Sequence, residues 1–277
     1  MSAVGLLALW AALWAGNVRL ARTRPGRWAA PALFGLSLLI LWEAGVRLFA
    51  VPEVILPAPT QIAEAVALNL PTLWEDVVQT VLKGALSGWL IGCGAGIGAA
   101  LLVARSDFLR RGLLPVGNFM AALPIVGTAP ILVMWFGFGW ESKAAVVVVM
   151  VFFPVLVNAV AGLADTGAMQ RDLMHTYAAT TAQTLWYLRI PAALPFVFNG
   201  LKIATTLALI GAIVAEFFGS PTVGMGFRIS TEVGRLNLPM VWAEIVAAAL
   251  VGSLSYAAIA ALEKRLTFWH PSQRARR

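Results

Sequence analysis

Asp172–Pro195, DLMHTYAATTAQTLWYLRIPAALP, is a polar interruption in an otherwise apolar chain, and its flanks decide the fold. Ala144–Leu163 before it and Pro195–Phe218 after it each run apolar for roughly 20 residues, enough for a helix to cross about 30 Å of hydrocarbon. Working outward, the same criterion selects Pro31–Ala50, Gly84–Ala104, Leu113–Gly137 and Met240–Leu262, which makes six expected transmembrane helices. Ala3–Val18 is a candidate seventh at the short limit, able to span a thinned bilayer or to lie in the interface. With 60% hydrophobic residues, 12% charged residues and a mean hydropathy of +0.83, the 277-residue chain holds more apolar surface than a soluble core needs. The expected class is an all-α polytopic membrane protein.

The net charge of +7 raises nucleic acid as a partner, and the distribution of the basic residues excludes it. If the Asp172 stretch is cytoplasmic, Arg19, Arg22, Arg24, Arg27, Arg105, Arg110, Arg111, Arg171, Arg189, Lys264, Arg265, Arg274, Arg276 and Arg277 are all inside. Only Lys143, Arg228 and Arg235 fall outside, while Arg47, Lys83 and Lys202 sit near helix ends where they can snorkel. Fourteen against three sets the orientation by the positive-inside rule, with the basic tail suited to anionic headgroups. Met1–Val18 lacks the basic start of a signal peptide. Cys93 is the only cysteine, and His175 and His270 stand far apart, so no metal site and no cofactor is expected.

Several stretches carry more specific signals. Gly84, Gly88, Gly92 and Gly96 recur every four residues, a stripe that lets a second helix approach closely. No Walker-type motif accompanies these glycines, so ATP is expected on a partner subunit. Leu113–Gly137 is interrupted by Pro115, Pro124 and Pro130, and freed backbone groups at membrane depth are tolerated only beside protein or a water-filled cavity. Candidate pathway residues are therefore Pro124, Pro130, Trp135, Phe136, Asn158 and Glu216. Trp135–Trp140 reads as an outer mouth or an aromatic belt. Asn158 is expected to bond to a neighbouring helix or to fill the gap left by Pro154. Glu216 is expected either to gate or dock at the outer mouth, or to pair with Arg228 or Arg235. Glu43 and Arg47 are four apart on one helix face and should neutralise each other. Val51–Asp76 reads as an external loop with a short helix opening near Thr60, and Gly219–Pro239 as a second external loop.

Together these stretches resemble the binding-protein-dependent ABC importer permeases. The family's cytoplasmic coupling signature is Glu-Ala-Ala, three residues, Gly, nine residues, Ile, one residue, Leu-Pro. The same spacing here gives Asp172-Leu173-Met174, then Ala178, then Leu188, then Ile190-Pro191, with alanine where the signature has its freely turning glycine. VILPAPTQI (54–62), ALPIVGTAPILVMWFGFGWESKA (122–144), FFPVLVNAVAGL (152–163) and IPAALPFVFNGLKIATTLALIGAIVAEF (190–217) resemble the nitrate, sulfonate and taurine branch.

The resemblance implies a type I importer transmembrane-domain architecture, with a helix over roughly Met174–Leu185 pressing apolar side chains into a groove on an ATPase. It implies two ATP-binding subunits, a second permease subunit (a copy or a related chain), and a periplasmic or lipid-anchored substrate-binding protein at the bacterial inner membrane. The coupling loop and the C-terminus would be cytoplasmic. The cargo would be a sulfonate-, taurine- or nitrate-like anion, or a small heterocycle such as a thiamine-precursor pyrimidine or riboflavin. The expected organisation is an N-terminal segment and linker over 1–28, a flanking helix and loop over 29–76, the permease domain over 77–265 and a tail over 266–277. An ion-coupled secondary transporter is the alternative, and it would need intramembrane acids or inverted repeats.

Overall fold

The computed structural model describes residues 3–21, 26–121, 123–219 and 223–270. Arg22, Arg24 and the tail residues Arg274, Arg276 and Arg277 lie outside them. The described residues form helices and connecting turns, divided into two compact units: residues 1–73 with 229–246, and residues 74–228 with 247–277. Five helical stretches are long and apolar enough to cross a bilayer: Ala29–Leu48, Leu70–Val103, Trp140–Ala164, Thr181–Gly219 and Leu238–Leu266.

In the first unit, α1 (Ala3–Ala21) packs on α2 (Gly26–Leu48), where Asn17 Nδ2 donates to Ser37 Oγ at 2.9 Å. Glu43 near the end of α2 accepts from Arg47, as expected from their spacing. It also accepts from the Thr60 amide at 3.1 Å and the Thr60 hydroxyl at 2.9 Å, and so caps α3 (Pro59–Leu68). The short helix expected near Thr60 is therefore held by an acid of the preceding helix.

α4 (Leu70–Val77), whose residues from Trp74 onward belong to the second unit, runs through a π-helical stretch, Val78–Ala85, into α5 (Leu86–Val103). The chain is thus helical some 14 residues before the expected start at Gly84, because the acids Glu75 and Asp76, which read as loop in the sequence, sit on a helix. After α5 comes α6 (Asp107–Ala121), then α7 (Ile125–Phe136) and α8 (Trp140–Ala164). The expected single span Leu113–Gly137 is thus two helices of 15 and 12 residues, neither reaching the roughly 20 that a crossing takes. Pro124, extended at φ −70° and ψ 108°, precedes α7 and starts it afresh. Gly137, at φ +81°, closes α7 in a conformation that favours glycine.

The α5 glycine stripe faces α8. A Cβ on Gly88 would lie 2.5 Å from Val147 Cβ, one on Gly92 would lie 2.4 Å from Val151 Cγ2, and one on Gly96 would lie 2.8 Å from the Phe152 carbonyl oxygen. Gly94 and Gly98, off the stripe, meet nothing within 4 Å. Such close approach replaces apolar side-chain volume with backbone contact, which suits helix association in lipid. Val147, Val151 and Val155 of α8 are fully buried against Ala204, Ala208 and Ala212 of α11 (Ile190–Gly219), so α8 is the central strut of this unit.

Between α8 and α11 lie α9 (Ala168–Thr176), α10 (Thr181–Thr184) and a π-helical turn, Leu185–Arg189. After α11, the expected external loop contains α12 (Met225–Gly234), followed by α13 (Leu238–Leu266).

Candidate functional site

The segment Ala168–Arg189 is built to present side chains rather than to bury them. None of the nine residues of α9 is buried, and Met169, Leu173 and Tyr177 stand out with Tyr177 76% exposed. Their spacing of four places all three on one helical face. Asp172 lies beside them, exposed, and Met174 is half-buried.

The helix expected over Met174–Leu185 does not form as one piece. α9 stops at Thr176, and Ala178 takes φ +50°, the left-handed conformation the family's glycine would adopt without cost. The chain then restarts at Thr180, whose hydroxyl accepts from the Gln183 amide at 3.2 Å while Gln183 Oε1 accepts from the Thr180 amide at 2.8 Å. This reciprocal cap fixes the start of α10. The chain therefore turns sharply at this position despite the alanine.

Leu188, Ile190 and Pro191 are half-buried where the segment joins α11, and Leu185 packs with Leu163, Ala193, Ala100 and Val103. Arg189 fastens the junction. Its Nε donates to the Leu163 carbonyl at 2.9 Å and its Nη1 to the Ala104 carbonyl at 3.5 Å, at the C-terminal ends of α8 and α5. A cation there satisfies carbonyls that have no partner within their own helices. Sequence reading counted Arg189 only as a topology charge, and missed this tie because both acceptors are backbone groups distant in sequence.

The interrupted α6–α7 pair borders a cavity of about 170 Å³ lined by Met120, Leu123, Ile125, Thr128, Phe153 and Leu207. Pro124 is exposed beside it and Pro130 is half-buried within α7. Trp135 and Phe136 are exposed at the far end of the same helix. Asn158 of α8 donates to the Pro154 carbonyl at 2.8 Å and accepts from Asn199 Nδ2 of α11 at 3.0 Å. It thus bridges to a neighbouring helix, whereas the carbonyl that Pro154 leaves without a helical donor is that of Met150, four residues earlier. A second cavity of about 240 Å³ between α5, α11 and α13 includes Trp89, Thr205 and Ser255 among apolar side chains. Lys202 pairs with Glu263 at 2.8 Å.

Glu216 stands apart from these residues. It lies 17 residues beyond Asn199 on the same helix, or about 25 Å at the α-helical rise. Glu216 is buried, and both carboxylate oxygens accept from the Thr80 hydroxyl at 2.9 Å. One of them also accepts from the Gly226 amide at 2.8 Å. Of the two arginines expected near it, Arg228 binds Asp76 at 2.8 Å and Arg235 binds Glu232 at 2.9 Å. Lys143, which the sequence placed in an external turn, is buried on α8 and donates to the carbonyls of Phe138 (2.7 Å) and Gly219. Asp76 and Thr80 carry this cluster with Glu216, and sequence reading missed both. Their spacing of four on one helical face was the available signal.

The profile of the family described as binding-protein-dependent transport system inner membrane component matches residues 92–268. The formylaminopyrimidine transport permease protein ThiX of Halalkalibacterium halodurans is 34% identical over 247 residues, 88% of this chain and 96% of that protein. The riboflavin transport system permease protein RibX of Chloroflexus aurantiacus is 32% identical over 86% of this chain and 88% of its own length. The taurine transport system permease protein TauC of Escherichia coli K12 is 28% identical over 84% of this chain and 86% of its own.

Proposed function

The chain belongs to the family of binding-protein-dependent transport system inner membrane components, and from that premise we propose that it carries a small heterocycle and is driven through Ala168–Arg189. It is the multi-pass permease subunit of an ABC importer rather than an enzyme, and its partners are an ATPase and a substrate-binding protein. In the assembly we envisage, two permease subunits enclose the pathway, two ATPase subunits bind and hydrolyse the ATP, and a periplasmic or lipid-anchored binding protein delivers the cargo. The chain sits in a bacterial inner membrane with Ala168–Arg189 and the C-terminus in the cytoplasm. Arg105, Arg171, Lys264 and Arg265 flank the membrane stretches on that side, which supports this orientation.

The observation that carries the proposal is the exposed apolar face of Met169, Leu173 and Tyr177, at the position where the signature spacing falls. An unburied apolar edge on a short helix suits a groove on a second protein. When the ATPases close on ATP, Arg189 and the half-buried Leu188, Ile190 and Pro191 would carry the displacement into α5, α8 and α11.

Two observations favour a heterocycle over an oxyanion. The relatives above 30% identity with a cargo in their names carry formylaminopyrimidine and riboflavin, whereas the sulfonate and taurine permeases stand at 27% and 28%. In addition, Lys202 is ion-paired and Lys143 is engaged by two carbonyls, so neither offers a free positive charge to an anion.

Proteoliposomes holding the complete complex test the cargo. ATP-dependent uptake of labelled formylaminopyrimidine or riboflavin, with taurine excluded, is the expected result. Taurine uptake without either heterocycle would overturn the reading.

A further inference from the structure

At the end of α11 remote from Ala168–Arg189, buried side chains from two other stretches of helix hold three consecutive backbone amides. The Gly224 amide donates to Asp76 Oδ1 at 2.7 Å, the Met225 amide to Thr80 Oγ1 at 2.8 Å, and the Gly226 amide to Glu216 Oε2 at 2.8 Å. These amides open α12 and have no acceptor within that helix. Asp76 and Thr80 come from α4 and the π-helical stretch after it, and Glu216 from the last turn of α11. The Thr80 hydroxyl donates to Glu216 while it accepts from Met225, which joins the separate bonds into one network.

The fit is close as well as polar. A Cβ on Gly224, itself at φ +130°, would lie 2.6 Å from the Glu216 carboxyl carbon, and one on Gly226 would lie 2.2 Å from the Ile213 carbonyl oxygen. Charge is balanced locally, with Arg228 on Asp76 and Lys143 beside Glu216. A buried acid with every oxygen engaged is costly to disturb, and bonds that share one hydroxyl strengthen one another.

The other end of the same helix is the driven segment. α11 runs for 30 residues from Ile190, next to Arg189, to Gly219, about 45 Å at the α-helical rise. A helix of that length, packed along α8, transmits an axial or tilting displacement with little loss. We propose that Asp76, Thr80 and Glu216 are positioning residues of the transport cycle. They clamp the first turn of α12 to α11, so that displacement entering at Ala168–Arg189 moves α12 as well. The proposal rests on the permease reading and adds a fixed output at the far end of the driven helix.

Hydrogen exchange of the assembled permease–ATPase complex tests it, read on peptides covering Val223–Ile229 with and without ATP and vanadate. In the wild type these amides should exchange slowly, and the rate should change at least threefold on trapping. Thr80→Val removes the shared hydroxyl at constant shape; it should accelerate exchange about tenfold and abolish the nucleotide response, and Thr80→Ser should restore both. Asp76→Asn serves as the second variant if Thr80→Val does not assemble. A wild-type complex that hydrolyses ATP but shows no nucleotide response at these amides overturns the clamp, as does a Thr80→Val complex that keeps the response. Failure to assemble with any ATPase would instead count against the permease reading beneath it.

Discussion

α11 joins two regions built on opposite principles. At its start, α9 buries none of its side chains and offers Met169, Leu173 and Tyr177 to the surroundings. At its end, Asp76 and Glu216 are 0% and 2% exposed, and their carboxylate oxygens bond within the chain. The first region leaves apolar side chains exposed, and the second engages its polar groups within the chain. Mutations should therefore cost stability at the saturated end and association at the open end.

The largest loss of stability is expected for Asp76→Ala, which leaves Arg228 and the Gly224 amide without this partner. Breaking a buried pair from one side costs about 3–5 kcal/mol, measurable as a lowered denaturation midpoint in detergent. A loss below about 1 kcal/mol would mean that the cluster is not saturated as described. Next comes Gly92→Ala, whose Cβ would press on Val151 Cγ2 at 2.4 Å in the α5–α8 seam. Overpacking of this kind costs about 1–3 kcal/mol, whereas Gly94→Ala, with nothing within 4 Å, should stay within about 0.5 kcal/mol. Equal effects at the two glycines would refute the facing assigned to α5.

Two smaller effects belong to the open end. Thr180→Ala removes the hydroxyl that caps α10 and should cost about 1 kcal/mol, seen as faster amide exchange over residues 181–185. Ala178→Gly should relieve the left-handed alanine and stabilise the turn by about 1 kcal/mol, with slower exchange at Ala178 and Ala179. A destabilised Ala178→Gly protein would contradict the turn geometry.

How much of this was legible in the sequence depended on whether the signal was periodic or distant. The glycine stripe announced its face because small residues every four positions have one geometric meaning. The membrane class followed from hydropathy alone, and the interrupted stretch Leu113–Gly137 holds two helices. Pro124 was legible as an interruption, but hydropathy does not register that a new helix starts directly after it. Asp76 and Lys143 read as loop residues because charge ordinarily marks water; here each is buried against a partner more than 70 positions away, which no local pattern encodes. Ala178 is the opposite case. Its residue type argued against a turn there, yet Ala178 adopts the left-handed conformation and Thr180 caps the helix that follows.

The central claim is that force enters this permease through the exposed face of α9, and capture of the ATPase on Leu173→Asp is its most direct measurement. The substitution lies on an unburied side chain, so the denaturation midpoint should match the wild type within about 0.5 kcal/mol. Co-purified ATPase should nevertheless fall at least tenfold, because a charge placed in an apolar groove costs more than the contact it replaces. Wild-type levels of ATPase on the Leu173→Asp permease, with transport intact, would contradict the account.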